Sequence, residues 1–272
     1  MSRDVLSRPA RPPDRTLSYG PLPEHVVDVR LPAGGGSAPL VVVVHGGFWA
    51  AEWDRAHAGP QSDALADAGF VVATVEYRRV GMRGGGWPGT FDDLALVADA
   101  VPGLVATGTG RVTADLGPVL VGHSAGGHLA LWAASRHRLP GSSPWHRATA
   151  TPLAGVVSLA GMADLVEAEE QGLGGHAAGQ LLGGGPREHP DRYAAASPAR
   201  WLPLGVRTVL VHGEADQAVP VTSSRTYARA ATKARDDVEL LELEGVGHFE
   251  LIDPLSDAWP TVLAAVRRCA SA

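Results

Sequence analysis

The chain has a single cysteine, Cys269, so no disulfide forms within it. It has a single lysine, Lys233, and its arginines are scattered rather than gathered in a basic run. With a formal net charge of −6, this balance argues against a nucleic-acid partner. No apolar run approaches the ~20 residues of a membrane-spanning helix. The Arg- and Pro-rich start, 1–15, lacks the apolar stretch of a secretory signal. There is no His-Glu-x-x-His, and His123 and His128 are poorly spaced for one helical face, so no metal is expected. No strand leads into Gly-x-Gly-x-x-Gly with an acid further on, so no dinucleotide cofactor is expected either. These absences describe a cytoplasmic protein without cofactor, nucleic-acid or membrane partner. The oligomeric state stays open, a homodimer included.

What is present is glycine, 34 residues of 272, and a hydrophobic content of 45%, enough for one large core. Residues 1–20 are polar and proline-rich and read as an N-terminal arm; residues 21–272 read as one domain. Short apolar, largely β-branched runs at 26–31, 40–44, 70–75, 119–121, 153–159, 208–211 and 238–243 are expected strands. Helical patterns fall at 60–68, 90–105, 223–234 and 260–268, with Pro102 and Gly103 expected to end or distort the second. Buried strands alternating with helices imply an α/β protein with a mostly parallel sheet covered on both faces. The alternation lapses over 161–204, rich in Gly, His and Pro. That segment is an insertion, either a small cap or lid over a site or a surface excursion without a role in binding.

The chemistry gathers in loops after the expected strands, where ligands bind in such sheets. The apolar run at 119–121 feeds Gly122-His123-Ser124-Ala125-Gly126 and then a helical segment. That context suits a sharp turn that lifts the Ser124 hydroxyl out of the backbone. With this much glycine, a Gly-x-Ser-x-Gly arises by chance roughly 0.2 times, so the pentapeptide alone decides little. His45-Gly46-Gly47-Phe48-Trp49, after an earlier strand, is expected by chance only roughly 0.004 times. A serine hydroxyl needs a base to become a nucleophile. His248, in the glycine-rich loop Glu244-Gly245-Val246-Gly247-His248-Phe249, is the choice over His123 and His128, which are nearer in sequence but project differently. The base needs a carboxylate to fix its tautomer. Asp216 fits best, with Glu214 a close competitor and Asp253 a weaker one. The order is then Ser124, Asp216, His248, the chain order of α/β-hydrolases.

The chain resembles the α/β-hydrolase superfamily of serine hydrolases, near the kynurenine-formamidase-like (arylformamidase) and hormone-sensitive-lipase-like esterase groups. The residues carrying the resemblance are His45 to Trp49, Glu76-Tyr77-Arg78, Gly122 to Gly127, Ser197-Pro198, His212-Gly213 with Asp216 and Val219-Pro220, and Gly247-His248-Phe249. It implies a catalytic set of Ser124, Asp216 and His248, and an oxyanion hole of Gly47, Phe48 and Ala125. Many hormone-sensitive-lipase-like esterases carry a third glycine where Phe48 stands, and the aromatic form is closer to the formamidase-like group. A bulky Phe48 would narrow the acyl side and favour formyl or acetyl groups. The leading expectation is hydrolysis of a small ester or aryl formamide, N-formylkynurenine type, through an acyl-enzyme. Alternatives are a broad carboxylesterase, a prolyl-oligopeptidase-like exopeptidase, and a non-catalytic binding protein on the same fold. Trp49, Trp87 and Phe249 are candidates to line the substrate pocket.

Overall fold

The computed structural model describes residues 3–271. Its strands are β1 (Arg15–Ser18), β2 (Val26–Arg30), β3 (Leu40–Val44), β4 (Val71–Val75), β5 (Val119–His123), β6 (Gly155–Leu159), β7 (Thr208–Gly213) and β8 (Val238–Leu243). They form one sheet in the order β1-β2-β4-β3-β5-β6-β7-β8. β2 runs antiparallel to both β1 and β4, and every pairing from β4 to β8 is parallel. Every residue of β3, β4, β5 and β6 is buried, because helices cover both faces and leave no polar side.

The helices are α1 (Gly59–Asp67), α2 (Gly89–Thr109), α3 (Ala125–Ser135), α4 (Leu165–Glu170), α5 (Ala177–Leu182), α6 (Pro190–Ala196), α7 (Val221–Lys233) and α8 (Trp259–Ala270). Side chains alternate across a strand, so β3 splits its valines between two cores. Val42 and Val44 belong to the core that includes Phe91 of α2, Trp132 of α3 and Tyr227 of α7. Val41 and Val43 pack with Leu65 of α1 and Val262 and Val266 of α8. This is the α/β-hydrolase fold, as the motifs implied. Among the described residues no helix is long and apolar enough to cross a membrane.

The structure departs from the sequence reading in two places. Residues 15–18, expected within the arm, form β1 and pair with Val26 to Val29. β1 is a short, largely exposed edge strand, so it shows no apolar pattern. The second departure is α2, which does not end at Pro102. It continues to Thr109 and stops at Gly110 in the left-handed conformation, φ 63°. Val97, Val101 and Val105 are buried on one stripe through the proline, and this packing holds the helix to the sheet. The 161–204 segment contains α4, α5 and α6 and leaves the sheet between β6 and β7.

Gly103 sits within α2, and a Cβ added there would meet nothing within 4 Å. Gly103→Ala is expected to raise stability by about 0.5–1 kcal/mol, read as a higher denaturation midpoint with an unchanged m-value.

Candidate active site

β5 ends at His123 and α3 begins at Ala125, so one residue, Ser124, makes the whole reversal. It sits at φ 55°, ψ −120°, a conformation L-residues adopt only under constraint. The constraint is close backbone approach. A Cβ on Gly122 would lie 2.1 Å from the Gly126 carbonyl oxygen, and one on Gly126 would lie 2.0 Å from that of Val44. Only glycine fits at either position. The Ser124 N–H donates to the Leu159 carbonyl at the end of β6 (2.8 Å), and its own carbonyl accepts from His128 N–H (3.1 Å).

The loop after β3 lies against this turn. A Cβ on Gly46 would come within 2.8 Å of the His123 carbonyl oxygen. Gly47, Phe48 and Trp49 then follow with φ of 107°, 53° and 56°. Such a run of left-handed residues persists only when its surroundings over-determine it. Here they do. His45 Nε2 lies 3.0 Å from Glu76 Oε1, the Tyr77 ring stacks on His45 with centroids 4.4 Å apart, and the Tyr77 hydroxyl donates to the His45 carbonyl at 2.8 Å. Glu76 also accepts from the Tyr77 N–H (2.9 Å) and the Arg55 N–H (3.2 Å), and pairs with Arg79 (3.1 Å). Burial alone would raise the Glu76 carboxyl, but the hydrogen bond and charge of His45, with Arg79, bring it down to about 2. Among the described residues, the N–H groups of Gly47 and Phe48 donate to no acceptor. The N–H of Ala125, first residue of α3, has no intrahelical acceptor. Free donors beside a serine hydroxyl are the material of an oxyanion hole.

His248 Nδ1 donates to Asp216 Oδ2 at 2.6 Å, and both side chains are almost fully buried. The other oxygen, Oδ1, accepts from the N–H groups of Ala218 (2.8 Å) and Val219 (2.9 Å). Burial would push the Asp216 carboxyl up, but hydrogen bonds from His212 and His248 hold it well below the usual carboxylate range. With the proton fixed on Nδ1, Nε2 is left as the acceptor. The two supporting loops touch through Gly213, where a Cβ would lie 2.1 Å from the Val246 carbonyl oxygen.

The competing residues are occupied elsewhere. Glu214 is exposed and faces Arg225 at 3.7 Å. Asp253 holds Arg8. His128 is fully buried on α3 with Nε2 bonded to the Ala196 carbonyl at 2.8 Å, and burial drops its pKa to about 4. His123 has a different task. Its Nε2 donates to the His248 carbonyl at 3.0 Å, tying the serine turn to the loop that carries His248. Burial, and then the nearby His248, hold its pKa well below the ordinary histidine value.

Ser124 stands between two cavities. The larger, about 200 Å³, is lined by Ser124 and His248 with Gly47, Phe48, Trp53 and Phe249. The smaller, about 20 Å³, is lined by Ser124 and Ala125 with Phe48, Trp49, Met162 and Leu173. Phe48 borders both. Phe249 and Trp49 thus lie at the site. Trp87 does not: it lines a surface cleft with Trp145 and Trp201, and packs edge-on against Trp145 at 4.8 Å. Sequence reasoning missed His57, Arg3 and Leu6, which also line the larger cavity. No motif marks any of them. Among the described residues no group of three or more His, Cys, Asp or Glu could hold a metal ion.

The BD-FAE family matches residues 27–230. The chain belongs to the BD-FAE family. Curated relatives of this family member include a probable isoprenylcysteine alpha-carbonyl methylesterase of Oryza sativa subsp. japonica, 28% identical over 258 residues, covering 89% of this chain and 59% of the relative. The esterase LipQ of Mycobacterium tuberculosis is 27% identical over 244 residues, covering 86% and 57%. The chain thus spans about six-tenths of the length of the curated relatives it matches. Among solved structures, a truncated carbohydrate esterase from gut microbiota superposes with a TM-score of 0.78 at 20% identity, covering 97% of this chain and 99% of that one. A propionate-bound thermophilic esterase from Thermogutta terrifontis gives 0.70 at 22% identity, covering 92% and 90%. At these identities the likeness is one of fold.

Glu76 has a depressed folded pKa, so its stabilisation is present above the unfolded value near 4.5 and is lost as pH falls towards about 2. Glu76→Gln is expected to cost about 2–4 kcal/mol at pH 7. In urea melts across pH, the gap from the parent protein should close between pH 4.5 and about 2.

Proposed function

We propose that the protein is a serine carboxylesterase. The observation that carries this reading is that Ser124, on its strained turn, lines one cavity with His248, whose Nδ1 is held by Asp216 at 2.6 Å. His248 Nε2 takes the proton from Ser124 Oγ as that oxygen attacks the ester carbonyl. The carbonyl oxygen becomes an oxyanion facing the N–H groups of Ala125, Gly47 and Phe48. On collapse, His248 returns the proton to the departing alkoxide, and the acyl group stays on Ser124. Water then attacks the acyl-enzyme by the same route, with His248 again the base. Asp216 stays ionised throughout and stabilises the imidazolium.

The direction of proton return orients the substrate. The leaving oxygen must lie beside His248, so the alcohol belongs in the larger cavity. The acyl chain then points into the smaller one, past Ala125. A space of about 20 Å³ admits little more than one small group, so acetyl and propionyl esters fit and long acyl chains do not. The esterase names of the relatives favour the carboxylesterase alternative over the N-formylkynurenine-type formamidase. The 161–204 segment acts as the cap of the acyl side through Met162 and Leu173.

Ser124→Ala should abolish labelling by a fluorophosphonate probe and reduce turnover of p-nitrophenyl acetate to background. Asp216→Asn should lower kcat by about 10³–10⁴-fold. Full activity in Ser124→Ala would sink the mechanism. Turnover of p-nitrophenyl esters should fall by about tenfold or more from acetyl to octanoyl. Leu173→Ala should reduce that penalty by enlarging the acyl side.

A further inference from the structure

Residues 3–8 are fastened at the wall of the larger cavity. Residues Asp4–Ser7 form one 3-10 turn. Val5 is 1% exposed and belongs to the core beneath the sheet, and Leu6 packs beside it. The Arg8 guanidinium grips the Asp253 carboxylate, with Nη2 donating to Oδ2 at 2.9 Å. Further along, the Arg11 N–H donates to Asp63 Oδ2 (2.7 Å) and its carbonyl accepts from Arg30 Nη2 (3.0 Å). This segment therefore has a fixed seat on the domain. From that seat Leu6 and Arg3 reach the wall of the cavity that Ser124 and His248 line. The Arg3 guanidinium carbon stands 5.5 Å from the centre of the Phe249 ring, a stacking distance for a cation on an aromatic face.

Charge at this wall is one-sided. Among the described residues lining the cavity there is no carboxylate, and Arg3 is the one permanently charged side chain. Burial, and then His45, push the pKa of His57 down to about 4, and His123 is likewise held neutral at pH 7. Asp4 follows Arg3 in sequence but does not line the cavity, and its charge acts on Arg8. A leaving group in this cavity therefore meets an aromatic and aliphatic wall, with a cation at the outer end.

We propose that the turn at Asp4–Ser7 is the outer wall of the leaving-group subsite, and that Arg3 selects esters whose alcohol or phenol carries an anionic group such as a carboxylate. This rests on the carboxylesterase reading and adds to it the class of leaving group. An apolar body lies against Leu6 and Phe249, and the anion pairs with the guanidinium. The gain is that of a solvent-exposed charge pair, so it is modest and salt-sensitive.

The test compares two esters with the same acyl group, 4-acetoxybenzoate and its neutral methyl ester, hydrolysed by the full chain. The readout is the ratio of kcat/KM, anionic over neutral. Arg3→Ala is expected to lower that ratio by about three- to tenfold, Arg3→Glu to lower it further, and Arg3→Lys to retain most of it. Raising ionic strength should lower the ratio in the parent protein and leave it flat in Arg3→Ala. An equal effect of Arg3→Ala on both esters, or no change in the ratio, overturns the proposal. Failure of the esterase reading is distinguishable, because Ser124→Ala would then match the parent on the neutral ester.

Discussion

The site depends on backbones that approach too closely for any Cβ. Gly126 lies against the Val44 carbonyl, Gly46 against that of His123, and Gly122 against Gly126. These contacts press the loop after β3 onto the turn after β5. The turn has no room to relax, and Ser124 remains in a conformation that costs of the order of 1–3 kcal/mol. The same pressing leaves the N–H groups of Gly47 and Phe48 beside the Ser124 hydroxyl without partners of their own. Strain and unpaired donors are both expensive in a folded chain, and here both come from one feature, adjacent parallel strands with glycine at their carboxyl ends.

The rest of the site is held by buried charge rather than by strain. Glu76 anchors the loop after β3 from behind, and Asp216 anchors His248. Each carboxylate is held by backbone N–H groups and a histidine, with Arg79 added at Glu76, which is how a buried charge becomes tolerable. His123 joins the two halves. It belongs to the serine turn, yet it holds the backbone of the loop that carries His248, so Ser124 and His248 keep their relative position through a neutral imidazole.

The sequence carried the sheet well, because strands buried on both faces read as unbroken apolar runs, as at 40–44 and 119–121. Elements whose stability comes from packing were less legible. β1 shows no pattern because it is an exposed edge, and α2 passes Pro102 because Val97, Val101 and Val105 hold it down. Ser124, Asp216 and His248 were readable as candidates because the chemistry needs those residue types in loops after strands. Asp216, preferred in the sequence over Glu214 and Asp253, lies against His248, while those two pair with Arg225 and Arg8. The cavity walls were the least legible. Trp87 belongs to another cleft, while Arg3 and Leu6 arrive from the far end of the chain by a tertiary contact with no local signature.

Phe48 is the partition between the two cavities, and a Cβ on Gly174 would lie only 2.3 Å from its ring. The segment after β6 therefore braces the partition through a residue without a side chain. A change at Phe48 would alter both rooms at once. Met162 and Leu173 border one room alone, and Arg3 and Leu6 the other. On the proposed esterase reading, selectivity for the two halves of the ester falls to separate stretches of chain, around one shared wall.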